Sequence, residues 1–164
     1  MSQSEQNLKD AFAGESQANR KYLAFAEKAD KEGFAQAAKL FRAAAAAETV
    51  HAHSHLRAFK GVGSTADNLQ EAIGGETFEY QTMYPPMIET AQSEGNKAAE
   101  RSFTYANQVE KVHADLYQKA LDSMENPQAA DYYVCNVCGY TCEDEAPDEC
   151  PVCKAKKKAF FKVD

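Results

Sequence analysis

One pattern, written twice, constrains this chain more than anything else in it. Phe41, Ala44, Glu48, Val50 and His51 recur as Phe103, Ala106, Glu110, Val112 and His113 at an offset of 62, and Gly14-Glu15 recurs as Gly75-Glu76 at an offset of 61. Such a chain reads as two related halves facing a shared centre. Gly33, the Gly61 to Gly63 pair and Gly95 punctuate the first 125 residues into four stretches, each long enough for a helix. Proline is absent before Pro85, and the first 60 residues are rich in Ala, Glu, Lys, Gln and Leu, which favour helix. The expected architecture is an all-α four-helix bundle with helices over 4–31, 34–60, 67–94 and 96–124, the third kinked at Pro85 and Pro86.

Cysteine usage marks a second module. Residues 1–134 contain none, and Cys135, Cys138, Cys142, Cys150 and Cys153 follow within 19 residues. The expected division is a helical domain over 1–125, a linker over 126–131 around Pro127, and a small metal-knuckle domain over 132–164. A net charge of −7 argues against a nucleic-acid partner. No apolar run exceeds Ala43 to Ala47, so no membrane span is expected, and Met1 to Glu5 is too polar for a secretory signal. The expected compartment is the cytoplasm, where cysteines serve as metal ligands or free thiols rather than disulfides.

Glu48-x-x-His51 and Glu110-x-x-His113 each put a carboxylate and an imidazole one turn apart on a single helix face, where both reach one ion. A single copy would be ordinary decoration of a solvated helix. Two copies, with Glu15 and Glu76 supplying the other walls, complete the carboxylate-bridged dinuclear pattern of ferritin-like di-iron proteins. Oxygen and imidazole ligation suits iron or manganese. Glu79, at i+3 from Glu76, has no counterpart, since Ala18 stands at the matching interval from Glu15. It reads as an extra ligand on one side, because like charges on adjacent turns repel unless cations lie between them. His53 is expected to point to solvent, and His55, one turn beyond His51, to lie just behind the ligands or at the bundle end; neither is expected to be a ligand. Tyr22 and Tyr84, seven and eight residues after Glu15 and Glu76, face the same interior as core tyrosines or as redox or hydrogen-bonding neighbours of the metals.

Cys135-x-x-Cys138 and Cys150-x-x-Cys153 have the spacing of two knuckles closing on one tetrahedral ion, iron or zinc. Little core is available in so short a module, so the metal should supply much of its folding free energy. Tyr132, Tyr133, Phe160 and Phe161 are expected to pack beside it, and Cys142 to be a bystander.

These residues resemble the rubrerythrin family over essentially the whole chain. The resemblance rests on Gly14-Glu15-Ser16-Gln17-Ala18-Asn19 with Tyr22, Glu48-x-x-His51, Gly75-Glu76-Thr77-Phe78-Glu79-Tyr80 with Met83-Tyr84-Pro85, Glu110-x-x-His113, and Cys-x-x-Cys-Gly-Tyr followed by Ala146-Pro147 and Cys-Pro-x-Cys. It implies a ferritin-like bundle followed by a rubredoxin-like domain. It also implies a non-haem di-iron centre held by Glu15, Glu48, Glu76, Glu79, Glu110, His51 and His113. Glu48 and Glu110 would bridge, one iron would shift between Glu79 and His51, and His113 would stay on the other. Cys135, Cys138, Cys150 and Cys153 would hold a mononuclear iron, with zinc as the alternative. The implied activity is reduction of hydrogen peroxide to water in oxidative-stress defence, fed by a redox donor protein of rubredoxin or flavoprotein-reductase type. Glu79, Tyr22 and Tyr84 are the expected catalytic residues, handling protons.

Two departures qualify the resemblance. Lys154 follows Cys153 where Gly139 follows Cys138, so a left-handed backbone there would carry a side chain at a cost of about 1 kcal/mol. The connection between the second and third helices is also short. A ferritin-like crossover must cover about 32 Å of helix at 1.5 Å per residue, whereas seven extended residues reach about 25 Å. A domain-swapped homodimer follows as the expectation. The other readings are a ferroxidase of ferritin-like type and a non-enzymatic helical module with a structural zinc knuckle.

Overall fold

The structure is a computed structural model and describes residues 2–164; Met1, part of the polar start discussed above, lies outside the described residues. Met1–Gly63 and Ser64–Asp164 form two compact units, dividing the helical region between its second and third helices.

The first unit is a helical hairpin of α1 (Gln3–Lys31) and α2 (Ala35–Ala58). A capping box between Ser2 and Glu5 starts α1. Its end is a Schellman turn: Gly33 takes φ +84°, its N–H donates to the Asp30 carbonyl, and the Phe34 N–H donates to the Ala29 carbonyl. The interface is built from small residues. Ala38, Ala45 and Ala52, seven residues apart along α2, are all buried, as are Ala26 and Ala29 of α1. Buried Asn19 donates across the seam to the Ala45 carbonyl at 2.7 Å and to the Thr49 hydroxyl at 2.9 Å, which fixes the register of the hairpin. The left-handed residue after α2 is Lys60, at φ +58°, rather than a glycine. Gly61 is needed beside it for a different reason: a Cβ there would lie 2.5 Å from Leu56 Cδ1 and Phe59 Cε2.

The second unit begins with α3 (Thr65–Phe78), capped by the Ser64 and Asp67 box. A π-helical turn over Glu79–Met83 follows, then α4 (Tyr84–Ser93) and α5 (Lys97–Asp122). Instead of a simple proline kink, the third helical stretch carries a wider turn that ends just before Pro85 and Pro86. These prolines occupy the first turn of α4, where missing N–H groups are tolerated. Gly95, at φ +68°, ends α4 as Gly33 ends α1, 62 residues earlier. Three strands complete the unit: β1 (Tyr132–Cys135), β2 (Thr141–Glu143) and β3 (Phe160–Val163). They form an antiparallel sheet in the order β2-β1-β3, pairing Tyr133 with Cys142 and Cys135 with Phe160. Phe160 packs edge-on against Tyr140, whereas Tyr132 and Phe161 are exposed, so half of the expected aromatic packing is present. Successive side chains along a strand face opposite sides of the sheet, so Tyr132 on the central β1 and Phe161 on the edge strand β3 point the other way from their neighbours Tyr133 and Phe160. No helix among the described residues is long and apolar enough to cross a membrane.

Candidate metal centres

In the first unit, α1 supplies Glu15 and α2 supplies Glu48 and His51. The His51 Nδ1 lies 2.8 Å from Glu48 Oε2 and 3.9 Å from Glu15 Oε1. In the second unit, α3 supplies Glu76 and α5 supplies Glu110 and His113, with His113 Nδ1 at 2.9 Å from Glu110 Oε2 and 3.8 Å from Glu76 Oε1. Each trio brings one donor atom per residue within 4.8 Å of the others. The repeat in sequence is therefore a repeat in space, reproduced to 0.1 Å. Two ligands at right angles on an ion, each bonded at about 2.1 Å, lie about 3 Å apart, so the close carboxylate–imidazole pairs have the separation of shared ligation. Two carboxylates and one imidazole per trio form a hard, oxygen-rich donor set suited to iron.

The surroundings of the two trios differ. His51 is 56% exposed and His113 only 27%. Burial, and then the Glu110 carboxylate, push the Glu76 carboxyl above the usual glutamate range. Glu79, half-buried at the start of the π turn, is raised in the same way by burial and then by Glu76. Glu79 is not part of the tight trio, but its charge reaches Glu76, His113 and Tyr84. Burial, followed by the charges of Glu110, Glu79 and Glu76, raises the Tyr84 phenol. Tyr22 packs on Phe41 and Tyr84 on Phe103, both with ring centroids 6.3 Å apart and interplanar angles of 34° and 36°. His53 is exposed and His55 half-buried, and neither joins a trio.

Cys135 and Cys150 are buried, Cys138 and Cys153 half-buried. Their sulfurs approach as Cys135–Cys153 and Cys138–Cys150, both at 3.6 Å. A disulfide would require about 2.05 Å, whereas metal–sulfur bonds of about 2.3 Å in a tetrahedron place sulfurs about 3.8 Å apart. The geometry is that of a four-thiolate metal site. Burial pushes the Cys138 thiol well above its ordinary range. Gly139 and Lys154 hold φ +84° and +63°, so the left-handed backbone does carry a side chain in the second knuckle. Cys142 lies on β2, its thiol facing the Glu145 and Tyr133 carbonyls, apart from the cluster.

Two features escaped the reading from sequence. One is the π turn that carries Glu79. Its signal was the change of offset from 61 at Glu15/Glu76 to 62 at Tyr22/Tyr84, because a π turn is one residue inserted into an α-helix. The other is Thr141, whose hydroxyl lies 3.0 Å from His113 Nε2. No sequence pattern links residues 28 apart on a strand and a helix.

Comparison with known proteins agrees with this chemistry. The family model for rubrerythrin matches residues 6–121, and that for the rubrerythrin rubredoxin-like domain matches residues 133–161. Rubrerythrin-2 of Clostridium acetobutylicum is 38% identical, covering 93% of this chain and 92% of that protein. Nigerythrin of Nitratidesulfovibrio vulgaris is 37% identical, covering 94% and 84%. A solved structure of nigerythrin in its fully reduced, all-ferrous state aligns with a TM-score of 0.61 at 34% identity, covering 99% of this chain and 88% of that one.

Proposed function

The chain belongs to the rubrerythrin family, a family of oxidoreductases with a di-iron site and a rubredoxin-like metal site, and from that premise we propose that it reduces hydrogen peroxide to water in the cytoplasm. The observation that carries the proposal is the pair of matching Glu, Glu, His trios. They would supply two matching half-sites for a pair of ions. Glu15, Glu48 and His51 would hold one side of the pair and Glu76, Glu110 and His113 the other, with Glu48 and Glu110 bridging and Glu79 as the additional carboxylate. Bound ferrous iron would supply the two electrons that peroxide reduction consumes. The chain's own residues supply protons and shape.

Glu79 stands beside Glu76 and Tyr84, where its carboxyl can pass a proton toward the ligand cluster. Tyr22 and Tyr84, each packed on a phenylalanine, would share in that proton delivery. Two protons and two electrons convert one peroxide to two waters. The four cysteines would hold the iron through which single electrons arrive from a donor protein of rubredoxin or flavoprotein-reductase type.

The assembly proposed is a domain-swapped homodimer. Glu48 lies ten residues before the end of α2 and Glu76 eleven residues after the start of α3, about 32 Å of helix to retrace. The connector between Ala58 and Thr65 reaches about 25 Å when extended. The α1–α2 hairpin of one chain would then complete a site with the α3–α5 hairpin of its partner. Large side chains left exposed on the hairpins support this: Leu40 at 68%, Val50 at 64% and Phe78 at 56%.

The test is metal analysis of protein purified without oxygen, followed by stopped-flow mixing with peroxide. About three irons per chain with an oxidised S4-type visible spectrum, bleached on reduction and restored by peroxide, is the expected result. Oxidation of added ferrous iron by oxygen that outpaces peroxide turnover would replace the proposal with a ferroxidase.

A further inference from the structure

The two histidines are equivalent in sequence and unequal in support. The difference lies on β2 of the cysteine module. The Thr141 hydroxyl lies 3.1 Å from the Gly139 carbonyl and 3.0 Å from His113 Nε2. A carbonyl only accepts, and a hydroxyl has one proton. The hydroxyl proton therefore goes to Gly139, and toward His113 the Thr141 oxygen accepts. Nε2 carries the hydrogen, and the other ring nitrogen, Nδ1, faces Glu76 and Glu110 with its lone pair available to a cation. Gly139 directly follows Cys138, and its N–H donates to the Cys135 carbonyl at 2.8 Å. The same face is closed by Lys119 of α5, ion-paired with Glu143 of β2.

We propose that Thr141 is a positioning residue for His113: its hydroxyl ties the Nε2–H of the imidazole to the Cys138–Gly139 knuckle of the same chain. This fixes the tautomer that ligates through Nδ1 and provides a hydrogen-bonded route between the four-cysteine site and the carboxylate site. The proposal deepens the reading above and rests on it for the identity of the two centres. A ligand whose second ring nitrogen is held by a fixed acceptor keeps both orientation and basicity, and removal of such a partner costs about 10- to 100-fold in metal affinity or activity. With iron held by Cys135, Cys138, Cys150 and Cys153 and by the Glu76, Glu110 and His113 trio, the Thr141–His113 contact would lie on the path for single electrons from the one to the other.

The test compares the wild-type full chain with Thr141→Val and Thr141→Ser. Valine matches threonine in shape and favours a strand, so β2 is retained. In zinc-loaded, nitrogen-15-labelled protein, which has no redox chemistry, long-range proton–nitrogen spectra are expected to show a protonated Nε2 and a metal-bound Nδ1 for His113. Exchange of that N–H with water should be slow, accelerate by about tenfold or more in Thr141→Val, and return to near the wild-type rate in Thr141→Ser. In iron-loaded protein, peroxide-driven reoxidation of the four-cysteine centre should slow by about tenfold in Thr141→Val, with that centre's visible spectrum unchanged. A wild-type His113 protonated on Nδ1, or a Thr141→Val protein indistinguishable from wild type in exchange and reoxidation, overturns the proposal. If peroxide fails to oxidise even the wild-type protein, the peroxidase reading fails, while the zinc-form spectra still decide the role of Thr141.

Discussion

Replacing Lys154 with glycine should tighten metal binding by the cysteine module, and the size of the gain follows from one backbone angle. Lys154 holds φ +63°, a region that costs a residue with a Cβ about 1–2 kcal/mol. Glycine removes this cost but has more freedom to lose on folding, about 0.5–1 kcal/mol. The bond from Lys154 Nζ to the Pro151 carbonyl is exposed and contributes little. The net gain is about 0.5–1 kcal/mol, or about two- to fivefold in affinity, because metal binding and folding of so small a module are one equilibrium. Zinc competition against a chromophoric chelator at fixed pH measures it. Lys154→Ala, which keeps the Cβ, should change affinity by less than about twofold. Gly139→Ala should do the reverse of Lys154→Gly. A Cβ at Gly139 meets only Val109 Cγ1, at an ordinary 3.7 Å, so the penalty is the backbone's. Lys154→Gly binding no more tightly than wild type would refute the reasoning, since then the angle stores no strain that the metal must overcome.

Three further outcomes are expected. Glu76 and Glu79 have folded pKa values raised above the ordinary 4.5, so their stabilising contribution is fully present below that value and is lost as pH rises through the raised ones. The metal-free protein should therefore melt at a higher temperature as pH is lowered from neutral toward the glutamate range; Glu76→Gln should flatten that slope in thermal melts, and a slope of opposite sign would contradict the burial argument. Wild-type protein should be dimeric by light scattering, and inserting about ten Gly/Ser residues into the 59–64 connector should give monomers of unchanged iron content, because the chain then reaches the crossover distance. Asn19→Ala should destabilise the first hairpin by about 1–3 kcal/mol in urea unfolding, since it removes the buried amide that ties α1 to the Ala45 carbonyl and the Thr49 hydroxyl of α2, leaving those two only their own bond to each other.

What could be read from sequence was whatever local chemistry or repetition encodes. Gly33 and Gly95 marked helix ends because each sits where the chain turns left-handed. Lys60 shows the limit of that rule: the left-handed residue was not glycine, and the glycine beside it serves the close approach of Leu56 and Phe59. The trios were legible because a one-turn spacing fixes which side chains share a helix face, and the offset of 62 fixed the pairing of faces. The contact between His113 and Thr141 was not, because it depends on how a strand is laid against a helix, which neither element's own pattern states.

The repeat accounts for what the half-sites share; their differences come from what the repeat does not copy. The inserted residue between Glu76 and Tyr84 turns the helix into a π turn and gives the second half a carboxylate, Glu79, where the first half has Ala18. The cysteine module, which has no counterpart after the first hairpin, brings the Thr141 hydroxyl to 3.0 Å from His113 Nε2. Two identical half-sites would bind two ions alike and give electrons and protons no preferred side of entry. Here the second trio has an additional carboxyl nearby and a histidine held through Thr141 at the Cys138–Gly139 knuckle. Under the proposed peroxidase reading, these differences would give electrons and protons a preferred side of entry, and in this chain they trace to one inserted residue and one threonine.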